Sequence, residues 1–402
     1  MNDTAARLSL SDSLSTRSHM ARFIARRIPA IDAGALRLSL PNGGEIIRRG
    51  EAPGPEAVIK VCSWRGLLRV LFDGEHGFAD AYLADEWSTP DLRAVLTWAM
   101  LNEDALGRAG ASSWFTRLQN RVSHLRRNNT RRGSRRNIAA HYDLGNPFYQ
   151  SWLDAGMNYS SAMYGREDTL ETAQTRKIES IIELLGLQGG EQVLEIGCGW
   201  GALAERIVDK GCDITGLTLS LEQLAYARDR LRDVGNGATN IRLQDYRDVV
   251  GCYDRVVSIE MIEAVGERFW PAYFAKIRGV LKEGGIAVLQ AITIDEGRFS
   301  NYRRNPDFIQ RYIFPGGMLP TRSLLVELAA SAGLRLVHEE AFGMSYARTL
   351  AEWRARFLSK WPRIEGMGFD QRFKRMWEYY LAYCEVGFHV GSVDVRLFKF
   401  VR

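Results

Sequence analysis

The sequence predicts an α/β protein in which a doubly wound parallel sheet follows a smaller N-terminal α+β domain. From residue 189 onward, short apolar segments alternate with helical segments, and the connections between them are short, as in parallel sheets. Glycines directly follow the first of these apolar segments. The chain has 402 residues, 46% hydrophobic and 25% charged, which is enough for two domains and excludes a mainly disordered protein.

Four segments are predicted along the chain. Residues 1–18 are rich in Ser, Thr and Asp and are expected to form a flexible tail. Residues 19–105 mix strand-like and helix-like patterns and form the small domain. Residues 106–133 are a basic connector, and residues 134–402 form the main domain.

The connector is strongly basic, although the net charge of the whole chain is only +5. Eight Arg and no acid lie between Arg117 and Arg136. Over residues 113–127 the apolar side chains fall on one helical stripe with Arg beside it, which predicts a basic amphipathic helix. The basic charge fits a solvated linker, an anionic membrane surface or nucleic acid. The apolar stripe would pack at the domain joint or lie on a membrane.

The main domain is predicted to contain five strands with helices between them. The first strand is expected to be buried, and the last helix is expected to end at a glycine. The predicted strands cover residues 191–196, 212–220, 241–249, 253–266 and 286–294, and the predicted helices cover residues 202–211, 221–233 and 270–285.

A glycine-rich turn with an acid before it follows the first strand. Gly197, Gly199 and Gly201 allow a tight turn and a close approach of a ligand to the backbone. Glu195 would repel a pyrophosphate but would attract a cationic amine. The turn therefore favours S-adenosylmethionine (SAM), which carries an ammonium group and a sulfonium; an ordinary strand–helix turn is the alternative.

The ends of the second and third strands supply further candidate contacts to SAM. No acid follows the second strand, so contacts to the ribose would come from Thr218, Leu219 and Gln223. After the third strand, Asp245 is placed to accept a hydrogen bond from the adenine amino group, with Tyr246 beside the ring. The alternative role for Asp245 is a turn cap.

Several motifs resemble the cyclopropane-fatty-acyl-phospholipid synthase family, which includes mycolic-acid methyltransferases and plant cyclopropane synthases. They run in the order of the family from about residue 134 to the C-terminus, and each is several residues long. Besides the glycine turn, they are His141–Asp154, Met157–Tyr164, Ser258–Gly266, Tyr312–Pro320 and Phe342–Trp353.

The resemblance implies a class I SAM-dependent methyltransferase fold with a smaller, lipid-associated N-terminal domain. It implies transfer of a methylene unit from SAM to the double bond of an acyl chain in a phospholipid. The SAM contacts implied by the resemblance are Tyr142, Tyr159, Ser160, Gly197, Gly199, Thr218, Leu219, Gln223, Gln244, Asp245 and Tyr246. A bicarbonate ion is implied as the general base, held by Ser161, Glu263, Gln290, Ile292 and Tyr346.

Three positions differ from many bacterial members of this family. They have Cys, His and an acid followed by His where this chain has Ser161, Gln290 and Glu263-Ala264. The plant enzymes resemble this chain at the last two positions, whereas Ser161 differs from both groups. A hydroxyl can replace a thiol as a hydrogen-bond donor. The alternative to ring formation is a methyltransferase that yields a methyl- or methylene-branched chain, or a furan precursor.

The predicted chemistry requires a stabilised cation and a base, because an alkene that attacks a methyl group leaves a carbocation. The segment Phe342–Phe388 contains 12 aromatic residues, which would pack in the core, line an acyl channel, or both. Glu263 is expected to orient bicarbonate together with Tyr346 and Gln290; Glu263 as the direct base is the fallback.

Composition also limits compartment and partners. Five widely spaced Cys without a CxxC pair predict neither a zinc site nor a disulfide framework. We expect no transmembrane helix and no secretory signal, hence a cytoplasmic protein at the inner face of the membrane. The resemblance adds a possible homodimer through the N-terminal domain. No nucleic-acid partner is expected, although a nucleic-acid or small-molecule methyltransferase and a non-catalytic lipid-binding protein remain competing classes.

Overall fold

The computed structural model describes residues 13–14, 19–26, 28–109, 144–235 and 237–402. Most of the predicted tail, the predicted amphipathic helix of the connector and Tyr142 lie outside these residues. Contacts divide the chain into two compact units. The first consists of Met1–Asn120 and Phe369–Val390, and the second of Arg121–Gly368 and Gly391–Arg402.

The described residues form strands and helices that alternate along most of the chain. The strands are β1 (Ser13–Leu14), β2 (Ala33–Ser39), β3 (Glu45–Arg49), β4 (Ala52–Val61), β5 (Trp87–Ser88), β6 (Gln192–Ile196), β7 (Asp213–Thr218), β8 (Thr239–Leu243), β9 (Tyr253–Ile259), β10 (Leu281–Ile294), β11 (Arg335–Ala341) and β12 (Val393–Val401). The helices are α1 (His19–Ala25), α2 (Trp64–Leu83), α3 (Leu92–Leu101), α4 (Glu103–Ala109), α5 (Asn146–Gln150), α6 (Leu170–Leu185), α7 (Ala202–Asp209), α8 (Leu221–Arg230), α9 (Trp270–Val280), α10 (Glu296–Tyr302), α11 (Arg322–Ser331), α12 (Gly343–Ser359), α13 (Trp361–Glu365) and α14 (Gln371–His389).

The first unit is built on a mixed sheet with the strand order β1-β3-β2-β4-β5. Strand β2 pairs antiparallel with β3 and parallel with β4. Helix α3 begins where the Asp91 side chain accepts a hydrogen bond from the Ala94 N–H, and it packs on β4. This arrangement is the α+β module expected for the N-terminal part.

Helix α14 belongs to the first unit although it lies near the C-terminus. Its Arg375 donates from Nη2 to the Trp87 carbonyl over 2.7 Å, and the Tyr82 hydroxyl donates to Glu378 over 3.2 Å. This division differs from the predicted boundary, which placed all of 134–402 in one domain. Sequence patterns do not reveal that a helix joins strands almost 300 residues away.

The second unit contains a sheet with the strand order β11-β12-β10-β9-β6-β7-β8. The five predicted strands β6 to β10 run parallel, and β12 joins antiparallel between β10 and β11. Leu194, Val256, Val257 and Leu289 are fully buried in the middle of the sheet. The strand order reverses between β6 and β9, so ligands are expected at the carboxyl ends of these strands.

One predicted helix ends earlier than expected. Helix α9 was predicted to reach Gly285, but it ends at Val280, and Leu281 is extended with φ −75° and ψ 142°. Leu281 is fully buried and pairs with Tyr253 of β9. Burial and strand pairing of Leu281 therefore end the helix, and the glycines lie in an irregularity of β10 before Ile286.

Helices in the described ranges are either too short or too polar to span a bilayer.

Candidate active site

The glycine turn after β6 adopts a backbone conformation that favours glycine. Gly197, Gly199 and Gly201 have φ values of +86°, +52° and +85°. The Gly197 and Cys198 N–H groups both donate to the Leu217 carbonyl, over 3.0 and 2.9 Å. A Cβ atom on Gly199 would have no neighbouring atom within 4 Å, so open space lies beside Gly199.

Glu195 lies beside this turn with its charge poorly compensated. It is 3% exposed, and its Oε2 has no hydrogen-bond partner among the described residues. Burial raises the pKa of Glu195 to about 8, against the attraction of Lys177. Burial likewise lowers the pKa of Lys177 to about 8, and its Nζ donates to the Ser160 hydroxyl over 2.8 Å.

The ends of β7 and β8 bring the other predicted SAM contacts next to the turn. The Thr218 hydroxyl donates to Gln223 Oε1 over 2.8 Å, and both side chains are buried. The Gln244 N–H donates to the Thr218 carbonyl over 3.1 Å, which joins the two strand ends. Leu219 follows Thr218 and is half-buried.

Asp245 has intramolecular partners on its own turn. It accepts hydrogen bonds from the Arg247 N–H at 3.0 Å and from its guanidinium at 2.6 and 2.8 Å. Asp245 thus caps its turn, which is the alternative role named for it above. Its contact with adenine stays a prediction. The neighbouring Tyr246 packs edge-on against Tyr273, with ring centroids 5.4 Å apart.

A second cluster forms around Glu260, which directly follows β9. Its Oε1 accepts hydrogen bonds from the Ser161 N–H at 2.9 Å and from Gln290 Nε2 at 2.6 Å. Its Oε2 accepts one from the Tyr346 hydroxyl at 2.6 Å. The Ser161 hydroxyl, which we expected to donate to an anion, donates to the Ala162 carbonyl instead. Glu260 thus joins three of the residues predicted to bind bicarbonate.

The remaining two predicted residues contact each other close by. The Ile292 N–H donates to Glu263 Oε1 over 2.6 Å, while Oε2 is buried without a partner in the described chain. Burial and the charge of Glu260 together raise the pKa of Glu263 to about 8. The Glu263 carbonyl accepts a hydrogen bond from the Met318 N–H at 2.8 Å, which anchors the turn in the Tyr312–Pro320 motif.

Aromatic rings connect the two clusters. Trp200 of the glycine turn lies 5.1 Å from Tyr149, Tyr149 lies 5.4 Å from Tyr159, and Tyr159 lies 5.4 Å from Trp353 between ring centroids. Trp353 in turn packs edge-on against Tyr346 at 6.1 Å. These rings can stabilise a cation between the glycine turn and Glu260 by about 0.5–2 kcal/mol each. Phe373 and Trp377, from the same aromatic-rich segment, instead stack on each other in the first unit.

Sequence reasoning missed Glu260 and Lys177. Glu260 carries the signal that identified Glu195, namely an acid at the end of a buried parallel strand. Lys177 interrupts the buried stripe of α6 between Ala173 and Ile181, four residues from each. A charged residue in the apolar stripe of a helix indicates a buried partner, since burial of a lone charge is costly.

The residues at the glycine turn fit SAM. Gly199 leaves space beside the turn, and Glu195 presents a buried carboxylate oxygen without a partner in the described parts of the chain. Glu260 and Glu263 add two more buried carboxyl groups, whereas the buried cation Lys177 interacts with Glu195 and Glu260. A cationic ligand would offset this excess of carboxyl groups.

The residues predicted for bicarbonate do not fit a bound anion. Ser161 N–H, Gln290 Nε2 and the Tyr346 hydroxyl already donate to Glu260. A second anion about 4 Å from this carboxylate would be repelled by roughly 4 kcal/mol at an effective dielectric constant of about 20. We therefore assign no reaction step to bicarbonate.

Known proteins resemble this chain over most of its length. Residues 129–398 match the family described as mycolic acid cyclopropane synthetase. A tuberculostearic acid methyltransferase from Mycobacterium tuberculosis is 40% identical over 358 residues, which cover 87% of this chain and 82% of the relative. The cyclopropane-fatty-acyl-phospholipid synthase of Escherichia coli is 34% identical over 366 residues, which cover 88% and 89% of the two chains.

Solved structures of cyclopropane synthases also resemble this chain. A cyclopropane synthase from Mycobacterium tuberculosis superposes with a TM-score of 0.63 at 31% identity, covering 67% of this chain and 98% of the other. A mycolic acid cyclopropane synthase complexed with SAH and CTAB gives the same TM-score and coverage at 29% identity. The chain therefore belongs to the mycolic acid cyclopropane synthetase family and is a SAM-dependent methyltransferase that modifies lipid acyl chains.

Proposed function

We propose that the enzyme transfers a one-carbon unit from SAM to the double bond of unsaturated acyl chains in membrane phospholipids and forms a cyclopropane. The observation that carries this proposal is the row of aromatic rings that runs from Trp200 of the glycine turn to Tyr346, whose hydroxyl donates to the buried carboxyl group of Glu260. Such a site can hold a methyl donor, stabilise a cation and remove a proton. These are the three requirements for alkylation of an alkene.

The residues of the chain have separate roles in this proposal. SAM, when bound, supplies the electrophilic methyl group. Glu195 accepts a hydrogen bond from its ammonium group, and the backbone at Gly197 and Gly199 lies against it without interfering side chains. Thr218 at the end of β7 and Gln223 in the first turn of α8 face the ribose. Holding the double bond in line with the methyl group contributes about 7–11 kcal/mol to catalysis.

Tyr159, Trp353 and Tyr346 form the aromatic wall beside the reacting carbons. Alkylation creates a positive carbon, and the faces of these rings stabilise it while buried packing excludes water. Water would otherwise add to the cation and end the reaction as an alcohol. The same wall suits an acyl chain, because its buried rings offer apolar contact.

A methylene- or methyl-branched product is the second candidate. The 40% identical relative is named a tuberculostearic acid methyltransferase. Ser161, placed where many bacterial cyclopropane synthases carry Cys, lies directly beside Glu260. If a hydride shifts before proton removal, the same cation gives a methylene branch instead of a ring.

Membrane contact is proposed through the first unit. Leu68, Leu71 and Phe72 of α2 are spaced for one helix face and are 51%, 41% and 69% exposed. Large apolar side chains grouped on a surface favour insertion between lipid headgroups. We propose that this face docks on the membrane from the cytoplasmic side; a homodimer through the N-terminal domain stays a prediction.

The proposed function is tested by incubating the enzyme with SAM and vesicles of a mono-unsaturated phospholipid. Proton NMR of the released acyl chains distinguishes the outcomes. High-field ring protons are expected for a cyclopropane, and vinylidene protons would identify the methylene-branched product. Unchanged acyl chains with all common double-bond positions would contradict lipid alkylation.

A further inference from the structure

We propose that the Glu260 side chain is the general base of the reaction and occupies the place that the family resemblance gives to a bicarbonate ion. The inference deepens the proposed function and rests on it, since it names the group that removes the proton. It is carried by the hydrogen bonds of one buried carboxylate.

The geometry around Glu260 is that of a complete anion site. Both carboxylate oxygens receive donors, with Ser161 N–H and Gln290 Nε2 on one oxygen and the Tyr346 hydroxyl on the other. A bicarbonate ion presents the same planar pair of oxygens as a carboxylate. The Glu260 side chain, which directly follows β9, therefore accepts the hydrogen bonds that a bicarbonate ion would otherwise accept.

The backbone at Glu260 indicates that the carboxylate is held there against a local preference. Glu260 has a φ of +47°, one of three positive φ values at non-glycine residues in the described chain. A second hydrogen bond, from the Glu260 N–H to the Gln290 carbonyl at 2.8 Å, fixes this turn. Strain of this kind persists where the surroundings over-determine the conformation, as at functional sites. Glycine would adopt the same backbone without strain.

Glu260 suits the role of base better than its neighbour Glu263. Burial raises the pKa of both carboxyl groups, but three hydrogen-bond donors and Lys177 oppose the rise at Glu260. The charge of Glu260 contributes to the raised pKa of Glu263. That pKa is about 8, so Glu263 is protonated at neutral pH. A base must be ionised to accept a proton, and of the two carboxyl groups Glu260 is the one whose hydrogen-bond donors favour the ionised form.

The step balances without an additional reactant. The π electrons of the acyl double bond form a bond to the transferred methyl carbon, while the carbon–sulfur bond breaks and its electron pair stays on sulfur. The neighbouring acyl carbon becomes cationic. Glu260 takes a proton from the new methyl group, and the freed C–H electron pair closes the ring onto the cation. The proton on Glu260 is released to solvent when the product leaves.

The first test measures turnover of the wild-type enzyme with SAM and mono-unsaturated phospholipid vesicles in buffer stripped of carbon dioxide. We expect the rate to stay within about twofold of the rate with added bicarbonate, because the base is part of the chain. A loss of about tenfold or more that bicarbonate restores would overturn the inference. Absence of any product from the wild-type enzyme would instead contradict the proposed function, so the two failures are distinguishable.

The second test uses Glu260→Gly, which leaves the donors of Ser161, Gln290 and Tyr346 around an empty space. SAM binding measured by calorimetry checks that the variant is folded. We expect turnover to fall by about 10²-fold or more and to recover in part when bicarbonate is added. A folded variant with wild-type turnover, or one that bicarbonate fails to restore, would count against Glu260 as the base.

Glu263→Gly is the matched variant for the rival carboxyl. It removes the same group three residues away, so a general effect of bicarbonate on the enzyme would appear in both variants. Restoration of Glu260→Gly alone supports the assignment. Restoration of Glu263→Gly alone would move the base to Glu263.

Discussion

At the scale of single residues, buried carboxyl groups dominate the candidate active site. Glu195, Glu260 and Glu263 are each enclosed by the second unit, and Lys177 is the buried cation that interacts with the first two. Burial raises the pKa of all three carboxyl groups, to about 8 for Glu195 and for Glu263, whereas three hydrogen-bond donors oppose the rise at Glu260. Binding of a cationic ligand is expected to shift them towards the ionised state.

The raised pKa of Glu195 predicts a pH dependence of SAM binding. Glu195, with its pKa raised to about 8, holds a proton at neutral pH, whereas the ammonium group of SAM favours the ionised carboxylate. Binding therefore releases a proton, and affinity should rise with pH between about 6 and 7.5, by at most about tenfold per pH unit. Calorimetric titrations at several pH values measure this slope.

Glu195→Gln provides the control for the titration of the ligand itself. The variant keeps the shape of the side chain but has no proton to release, so its affinity should be lower by about 10–100-fold and should change less with pH. Equal slopes for both proteins would show that Glu195 does not contact the cationic group.

At the scale of elements, the turn after β6 leads to a prediction about SAM binding and helix α2 to one about membrane binding. The turn is held by hydrogen bonds to Leu217 of the neighbouring strand, so its shape comes from the sheet as well as from its glycines. Helix α2 contains Gly74 with φ +55° and ψ −126°, a kink directly after its exposed apolar residues. Both elements contain glycine at positions with positive φ, which other residues rarely adopt.

Gly199→Ala should weaken SAM binding more than it weakens folding. A left-handed backbone costs Ala about 1–2 kcal/mol relative to Gly, and the added Cβ would lie in the open space that faces the turn. Gly186→Ala is the matched control, because Gly186 has φ +62° and equally open surroundings at the end of α6. We expect the two variants to have similar unfolding midpoints. Only Gly199→Ala should bind SAM at least about tenfold more weakly. Equal affinities would remove the turn from the cofactor site.

Removal of the exposed apolar face of α2 should weaken membrane binding. Full burial of one large apolar side chain contributes about 1.5–3 kcal/mol, so Leu71→Ser with Phe72→Ser should lower partition into phospholipid vesicles by about tenfold or more. Calorimetric SAM affinity should not change. Val250→Ser, at an exposed valine of the second unit, is the control; an equal loss in that variant would argue against a specific membrane face.

At the scale of the whole molecule, the chain leaves the first unit and returns to it. Arg375 of α14 lies with its guanidinium 4.0 Å from the centre of the Tyr82 ring and donates to the Trp87 carbonyl. Arg93 of α3 pairs with buried Glu385 at 2.7 Å. The helix near the C-terminus is thus a structural part of the N-terminal unit.

Arg375→Ala should loosen both segments of the first unit together. Loss of charged hydrogen bonds costs about 1.5–3 kcal/mol each, so hydrogen exchange should accelerate in residues 82–101 and in 371–389, while β6 and β7 keep their protection. Arg372→Ala, at an exposed position of the same helix, is the control. Faster exchange in α14 alone would show that the two segments do not unfold as one unit.

The sequence by itself determined the parallel sheet, the glycine turn and the family, because these depend on local patterns of apolar residues, glycines and short motifs. Glu195 was identified since its strand, turn and helix are contiguous in the chain. Only the tertiary structure decided that β12 enters the sheet beside β10, that α14 joins the first unit, and that Glu260 binds Ser161, Gln290 and Tyr346. Those contacts link residues as many as about 300 positions apart, and long-range partners are selected by burial and hydrogen bonding in the folded chain, which no local pattern records.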